Sequence, residues 1–324
     1  MRALLCTEWG PASKLVVGDA PDPEPGPTDA VVRVHAASVN FPDTLIIENK
    51  YQMRAAPPFS PGGECTGVVE AIGAEVTRVR PGDRVLAFTG YGCFAEKVRA
   101  DARALVPLDR DVDLVLASTL PMTFGTSLHA LEDRAGLRPG ETLVVLGASG
   151  GVGLAAIEIG KALGARVIAA ASNAERLALC KEHGADALID YGAEDLGVCI
   201  KDLTRGKGAD IVYDPVGGPL TERAVRSLAW RGRLLVIGFA SGEIPKIPLN
   251  LPLLKGCSLV GVFWGELTRR EPERLAVNLQ TLFLWLKEGK IRPHVSGTYP
   301  LERGAEAIAA LAERRVSGKL VITP

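Results

Sequence analysis

Residues 142–153 read Thr142-Leu143-Val144-Val145-Leu146-Gly147-Ala148-Ser149-Gly150-Gly151-Val152-Gly153, and their reading decides the architecture. The run 142–146 is apolar throughout and short enough for a strand buried on both faces, while 152–163 carries the apolar content of a helix. Between them stands G-x-x-G-x-x-G. After a strand and before a helix, such small residues let the backbone approach a pyrophosphate, whose charge then sits where free N–H groups and the helix dipole favour an anion. Working outward, the segments 166–171, 187–190, 209–213, 233–237 and 258–262 each read as a strand that follows a helix-like stretch. Six apolar strands alternating with helices predict an α/β fold with a doubly wound parallel sheet.

The turn admits two other readings. Gly147 to Gly151 also satisfies G-x-S-x-G, with Ser149 as the nucleophile of a hydrolase elbow. That chemistry needs an acid and then a histidine downstream, but only His183 and His294 follow and no HGGG-type segment precedes. The glycines could also serve helix–strand packing alone. Position within a six-strand alternating pattern favours the dinucleotide reading over both.

The second strand indicates which dinucleotide. A site for NAD places Asp or Glu about 20 residues beyond the glycines, on the ribose 2′-hydroxyl, whereas here that region is Ala169-Ala170-Ala171-Ser172-Asn173-Ala174-Glu175-Arg176. A carboxylate would repel the 2′-phosphate of NADP. Ser172 can donate to that phosphate and Arg176 can meet it with a forked cation, so NADPH is the expected cofactor. The alternative for Arg176 is an ordinary solvated charge on the next helix.

Residues 1–118 have a different texture, with short β-rich runs at 30–36, 66–73 and 81–88 punctuated by Pro-Gly turns, which suggests a small irregular β-barrel. Strand and helix alternation occupies 119–264. From 265 the rhythm stops, leaving helices at 271–288 and 305–313 and a closing strand at 319–322. A tail that small cannot fold alone and is expected to return to the N-terminal barrel.

Composition limits the function classes. The 324 residues carry 37 basic and 38 acidic side chains, so no net field is available to concentrate a nucleic acid or an anionic membrane surface. The longest apolar run, 143–157, is shorter than a spanning helix of about 20 residues and holds four glycines. Near the start, Glu8 and a Trp-Gly-Pro turn at 9–11 interrupt any signal-like apolar region. Six scattered cysteines without a C-x-x-C pair suggest free thiols in the cytoplasm. The four histidines, His35, His129, His183 and His294, show no ligand spacing, and no metal site is expected.

Four further observations point to a family. Ser38-Val39-Asn40-Phe41-Pro42-Asp43-Thr44, Pro61-Gly62-Gly63-Glu64-Cys65-Thr66-Gly67-Val68-Val69, the turn at 147–153 and Val212-Tyr213-Asp214-Pro215-Val216-Gly217 occur in this order. Together they resemble the zinc-free quinone oxidoreductase branch of the medium-chain dehydrogenase/reductase superfamily, the group that includes zeta-crystallin. In its zinc-dependent relatives the first segment holds a ligand Cys and the second reads Gly-His-Glu; here Asn40 and Gly63 stand in those segments, and the cysteine-rich lobe is missing.

The resemblance implies a GroES-like β-barrel catalytic domain and a Rossmann domain, with a homodimer formed through the edge strand 259–262. It implies that Asn40 and Thr126 lie near the nicotinamide and that Gly150, Gly151, Val152 and Gly153 lie near the pyrophosphate. Ser172, Arg176, Tyr191 and Arg314 would hold the 2′-phosphate, while Gly238, Phe239 and Phe263 would line the cofactor's far side. Asn40, Asp43 and Tyr51 are the expected catalytic residues, with Asn40 or a cofactor hydroxyl donating to the acceptor oxygen in an interdomain cleft. Leu45 departs from the family's frequent Tyr. The implied substrate is a quinone or an α,β-unsaturated carbonyl compound. An enoyl thioester, or NADPH binding without turnover, is the alternative.

Overall fold

The computed structural model describes residues 1–324. The chain divides into two units, Met1–Pro121 with Val295–Pro324, and Met122–His294.

In the second unit the sheet is six-stranded and every pairing is parallel. Its strands are Thr142–Leu146, Arg166–Ala171, Ala187–Asp190, Ala209–Asp214, Leu228–Val236 and Ser258–Gly261. Numbered in chain order, they lie 3-2-1-4-5-6 across the sheet. The apolar run at 142–146 takes the centre because it pairs on both sides, with Arg166–Ala171 and Ala209–Asp214. Strand order reverses beside it, so residue 147 leaves the sheet at the switch point, where open α/β sheets bind ligands.

Before the first strand, Gly125–Leu128 is α-helical and is flanked by wider π-turns at Leu120–Phe124 and His129–Arg134. Ser127 locks this stretch in place, since its hydroxyl contacts Thr123 O at 2.9 Å, Val152 O at 3.1 Å and the fully buried Tyr213 hydroxyl at 2.9 Å.

The first unit holds a seven-stranded sheet in the order Val295–Pro300, Lys319–Thr323, Asp29–Val39, Glu64–Ile72, Arg84–Phe88, Leu105–Pro107, with Lys97–Asp101 on Asp29–Val39. The long strand Asp29–Val39 organises it, pairing with three others, all antiparallel. A two-stranded sheet joins Arg2–Leu5 to Val16–Asp19.

The tail corrects one expectation. The sequence pattern places the return to the barrel from residue 265, but only Val295–Pro324 makes it; Trp264–Arg270 and Pro272–Lys287 belong to the second unit. The cause is side-chain pairing that the helical pattern does not display. Arg274 and Asn278 both bond Asp133, and Leu279 and Leu282 are buried.

Candidate functional site

The glycine turn presents backbone donors. Gly150 caps the helix Gly151–Ala162 from an extended conformation, and no side chain bonds the first-turn N–H groups. Such a helix start has up to four donors without an intrahelical acceptor. Each glycine has a distinct reason. Gly147 sits at φ +56°, a left-handed conformation that other residues avoid. A Cβ on Gly153 would come within 2.6 Å of the Gly147 and Ala148 carbonyl oxygens, so helix and strand could not approach. A Cβ on Gly150, by contrast, would meet nothing closer than 3.4 Å. Internal packing therefore does not by itself require a glycine at 150, and a dinucleotide pyrophosphate fits this cradle of donors.

Ser172, Arg176 and Tyr191 come together at the end of the second strand. Asn173 caps the helix Ala174–Glu182 by accepting from Arg176 N at 3.0 Å, and Arg176 Nη1 donates to Ser172 Oγ at 3.3 Å. Tyr191 N donates to Ala171 O at 3.0 Å, which lays the residue after the third strand beside Ser172. No acid stands at the strand end, so the donors fit a phosphate monoester on the ribose. Thr126 is buried in Gly125–Leu128. Gly238 and Phe239 are half-buried after the fifth strand, and a Cβ on Gly217 would approach Phe239 Cδ1 to 3.0 Å. Phe263 is half-exposed, and Arg314 is exposed at a left-handed turn in the first unit.

Ser149 has no histidine partner of the kind a hydrolase needs. His183 bonds Glu158 through Nδ1 and meets His294 edge to face, while His129 bonds Asp133.

In the first unit Asn40, Asp43 and Tyr51 also come together. Asp43 opens the short helix Phe41–Ile46 by accepting from Asn40 N at 2.7 Å, and its second oxygen accepts from Gly62 N at 3.1 Å. Burial pushes its carboxyl up to about 7 against the pull of those N–H groups and of Lys319. Burial, and then the charge of Asp43, raise the Tyr51 phenol.

Two residues that the sequence reading did not single out complete this cluster. Glu64, fully buried, accepts from Ser38 Oγ at 2.5 Å and from Asn40 Nδ2 at 2.7 Å. Lys319 Nζ, also buried, donates to Val39 O at 2.8 Å and Asn40 Oδ1 at 2.5 Å, with Glu64 Oε1 at 3.7 Å. The one signal in the sequence is a lone lysine opening the apolar strand Lys319–Thr323.

The cluster also corrects the role expected of Asn40. Its amide N–H bonds already point to Glu64 Oε1 and to Ser38 O at 3.2 Å. No donor is left for an acceptor oxygen.

Residues 26–110 match the alcohol dehydrogenase GroES-like domain and residues 151–281 the zinc-binding dehydrogenase family. A quinone oxidoreductase-like protein 2 homolog of Nematostella vectensis is 37% identical over 99% of this chain and 88% of its own length. The quinone oxidoreductase of Pseudomonas aeruginosa is 34% identical over 98% of this chain and 97% of its own. The Escherichia coli quinone oxidoreductase, solved with NADPH, superposes with a TM-score of 0.93 at 26% identity, covering 100% of both chains.

The chain belongs to the quinone oxidoreductase branch of the medium-chain dehydrogenase/reductase superfamily. Its two units are accordingly a GroES-like domain and a Rossmann-type domain that takes a nicotinamide dinucleotide. Although the second matched family is named for zinc, no three His, Cys, Asp or Glu side chains are grouped to hold a metal ion. The residues present do not fit a catalytic zinc, which needs three protein ligands.

Proposed function

We propose that this quinone oxidoreductase relative uses NADPH, without zinc, to reduce quinones or α,β-unsaturated carbonyl compounds. The observation that carries the reading is the pairing of an uncapped glycine turn with Ser172 and Arg176 where an NAD site would hold an acid. Bound NADPH would supply hydride from nicotinamide C4. The protein's own contribution is to bind and orient. Gly150 to Gly153 take the pyrophosphate on backbone donors, and Ser172, Arg176 and Tyr191 take the 2′-phosphate. Asn40, whose N–H bonds are committed, acts through its oxygen, and polarisation of the substrate oxygen falls to other donors.

NADPH and NADH oxidation with a panel of quinones, enones and acyl-CoA thioesters tests this. Turnover of quinones or enones with NADPH, on protein holding far less than one zinc per chain and unaffected by chelators, is expected. Turnover of acyl-CoA thioesters alone would make the chain an enoyl-thioester reductase, and tight stoichiometric zinc would overturn the mechanism.

The partner that fits best is a second copy. Ser258–Gly261 is an edge strand with one face of its backbone unpaired. Just before it in sequence, Leu249, Leu253 and Leu254 are 80%, 79% and 72% exposed, and on the neighbouring strand Leu228–Val236 Trp230 is 70% exposed, apolar side chains of the kind that mark association. Light scattering should report a dimer, with Leu253→Glu shifting it to monomer; a monomeric wild type would reject the proposal. No helix is long and apolar enough to cross a membrane, and the six free cysteines support a cytoplasmic setting.

A further inference from the structure

Lys319 is the one buried lysine of the chain, and nothing in the function proposed above requires it. A buried ammonium carries a large desolvation cost unless its donors are matched. Here three acceptors face Nζ: Val39 O, Asn40 Oδ1 and, further off, Glu64 Oε1. Three acceptors and no donor match an ammonium and mismatch a neutral amine, whose lone pair would face oxygen. Burial pulls the lysine's pKa down, while Glu64 and Asp43 pull it back up.

The consequence falls on Asn40. A side-chain amide is nearly symmetric in shape, and its orientation is set by what surrounds it. Lys319 can only donate, so it must face Oδ1. Glu64 Oε1 already takes the Ser38 hydroxyl proton at 2.5 Å and accepts again from the amide, so it must face Nδ2. The second N–H goes to Ser38 O. A donor on one side and acceptors on the other leave a single arrangement, in which both amide protons are used and one lone pair of Oδ1 remains.

We propose that Lys319 is a positioning residue that locks the Asn40 amide in this orientation, so that Asn40 meets a bound molecule as a hydrogen-bond acceptor. The group that fits it is a donor, such as a hydroxyl or a carboxamide N–H, and a carbonyl oxygen is excluded. This rests on the reading of Asn40 as a residue near the bound cofactor. Lys319 acts through Asn40 and touches no substrate itself.

The test pairs a readout that needs no activity with one that does. In asparagine-selective ¹⁵N spectra of the full chain, the Asn40 side-chain protons should give one sharp, slowly exchanging pair, assigned by its loss in Asn40→Ala. In Lys319→Met that pair should shift and broaden as the amide gains freedom to turn. Unchanged Asn40 resonances would overturn the proposal whatever the enzyme's substrate proves to be. In steady-state kinetics with NADPH and a quinone, Lys319→Met should lower kcat about 10-fold in the wild-type background and less than about 2-fold in Asn40→Ala, because residues in one network do not act additively. Losses that multiply would mean that Lys319 is merely structural. Absence of quinone turnover in wild type with the spectral effect intact would sink the substrate assignment and leave the lock standing. Should Lys319→Met fail to fold, Lys319→Arg keeps the donor. A single sharp Asn40 pair in that variant supports the lock, and an averaged pair rejects it.

Discussion

The glycine turn and the lysine cluster differ in how far apart their members lie along the chain and in how completely their polar groups are used. Seven contiguous residues make the turn, and it leaves the first-turn N–H groups of Gly151–Ala162 without a side-chain partner. The cluster joins residues 38–43 to Gly62 and Glu64 and then to Lys319, whose bond to Asn40 spans 279 positions. Nearly every donor in it already has an acceptor. Groups meant for a ligand are left open by the fold, whereas groups meant to hold other groups in place are saturated by it.

The largest expected effect probes the saturated region. Asp43 stands near 7 in the folded chain, well above the usual value of about 3.9, so the native state holds its proton more tightly than the unfolded chain does. Its contribution to stability is therefore complete below about pH 4, falls as pH rises and is lost above about pH 7, a change on the order of 4 kcal/mol. Asp133 and Glu141, held low by Arg274 and Arg233 despite burial, work in the opposite sense and lose stability as pH falls. Comparison with Asp43→Asn cancels those terms. Urea unfolding should show the stability of wild type relative to the variant declining between pH 4 and 7 and level beyond; a difference that grows with pH would place the ionised form in the native state.

Next comes the open region. Gly150→Asp adds a Cβ whose nearest neighbour, the Gly147 carbonyl oxygen, stands 3.4 Å away, and an N-cap position favours Asp, so thermal stability should hardly move. The carboxylate would oppose a pyrophosphate at the helix start, weakening NADPH by about 100-fold or more at close range. Fluorescence titration checks it, and undiminished binding would remove the turn from the cofactor site.

Arg176→Ala follows. Losing a charge-assisted bond of about 1.5–3 kcal/mol should weaken NADPH by roughly 10-fold to 150-fold, with the lower figure favoured because Ser172 and Tyr191 remain. NADH should be nearly unaffected at the same salt, which must be fixed because ions screen such contacts. Equal losses for both cofactors would make Arg176 structural.

The smallest effect belongs to Ser149→Ala, where at most one or two bonds of about 0.5–1.5 kcal/mol each are removed. A modest rise in the KM for NADPH is expected. Labelling of Ser149 by a serine-directed phosphonate, together with esterase activity lost in the variant, would instead revive the hydrolase reading.

The same contrast explains what the sequence disclosed. Each strand of the parallel sheet is an apolar run between helical stretches, and burial on both faces writes that run into the residues themselves. The strands that pattern reading passed over are held by pairing instead. Lys97–Asp101 begins and ends in a charged residue yet pairs along Asp29–Val39, and Val295–Pro300 alternates half-buried with exposed positions. In Phe41–Ile46 a proline and an aspartate hide a helix whose start the Asp43 side chain caps. Asn40 and Asp43 were legible as residues of a motif, but their partners were not, because no local pattern relates residue 40 to residue 319. The direction of the Asn40 amide depends on those partners and could not be read without them.

The strand Lys319–Thr323 lies inside the seven-stranded sheet, between Val295–Pro300 and Asp29–Val39, and this orders events during synthesis. The Rossmann-type unit is complete once residue 294 has emerged. The GroES-like unit begins first and must wait. At roughly 5–20 residues per second, the about 200 residues between Pro121 and Lys319 occupy the ribosome for roughly 10–40 s. Throughout that interval Asp29–Val39 lacks a neighbour, and Glu64 and Asp43 lack their cation. The half of the chain that is translated first is thus the last to reach its native state.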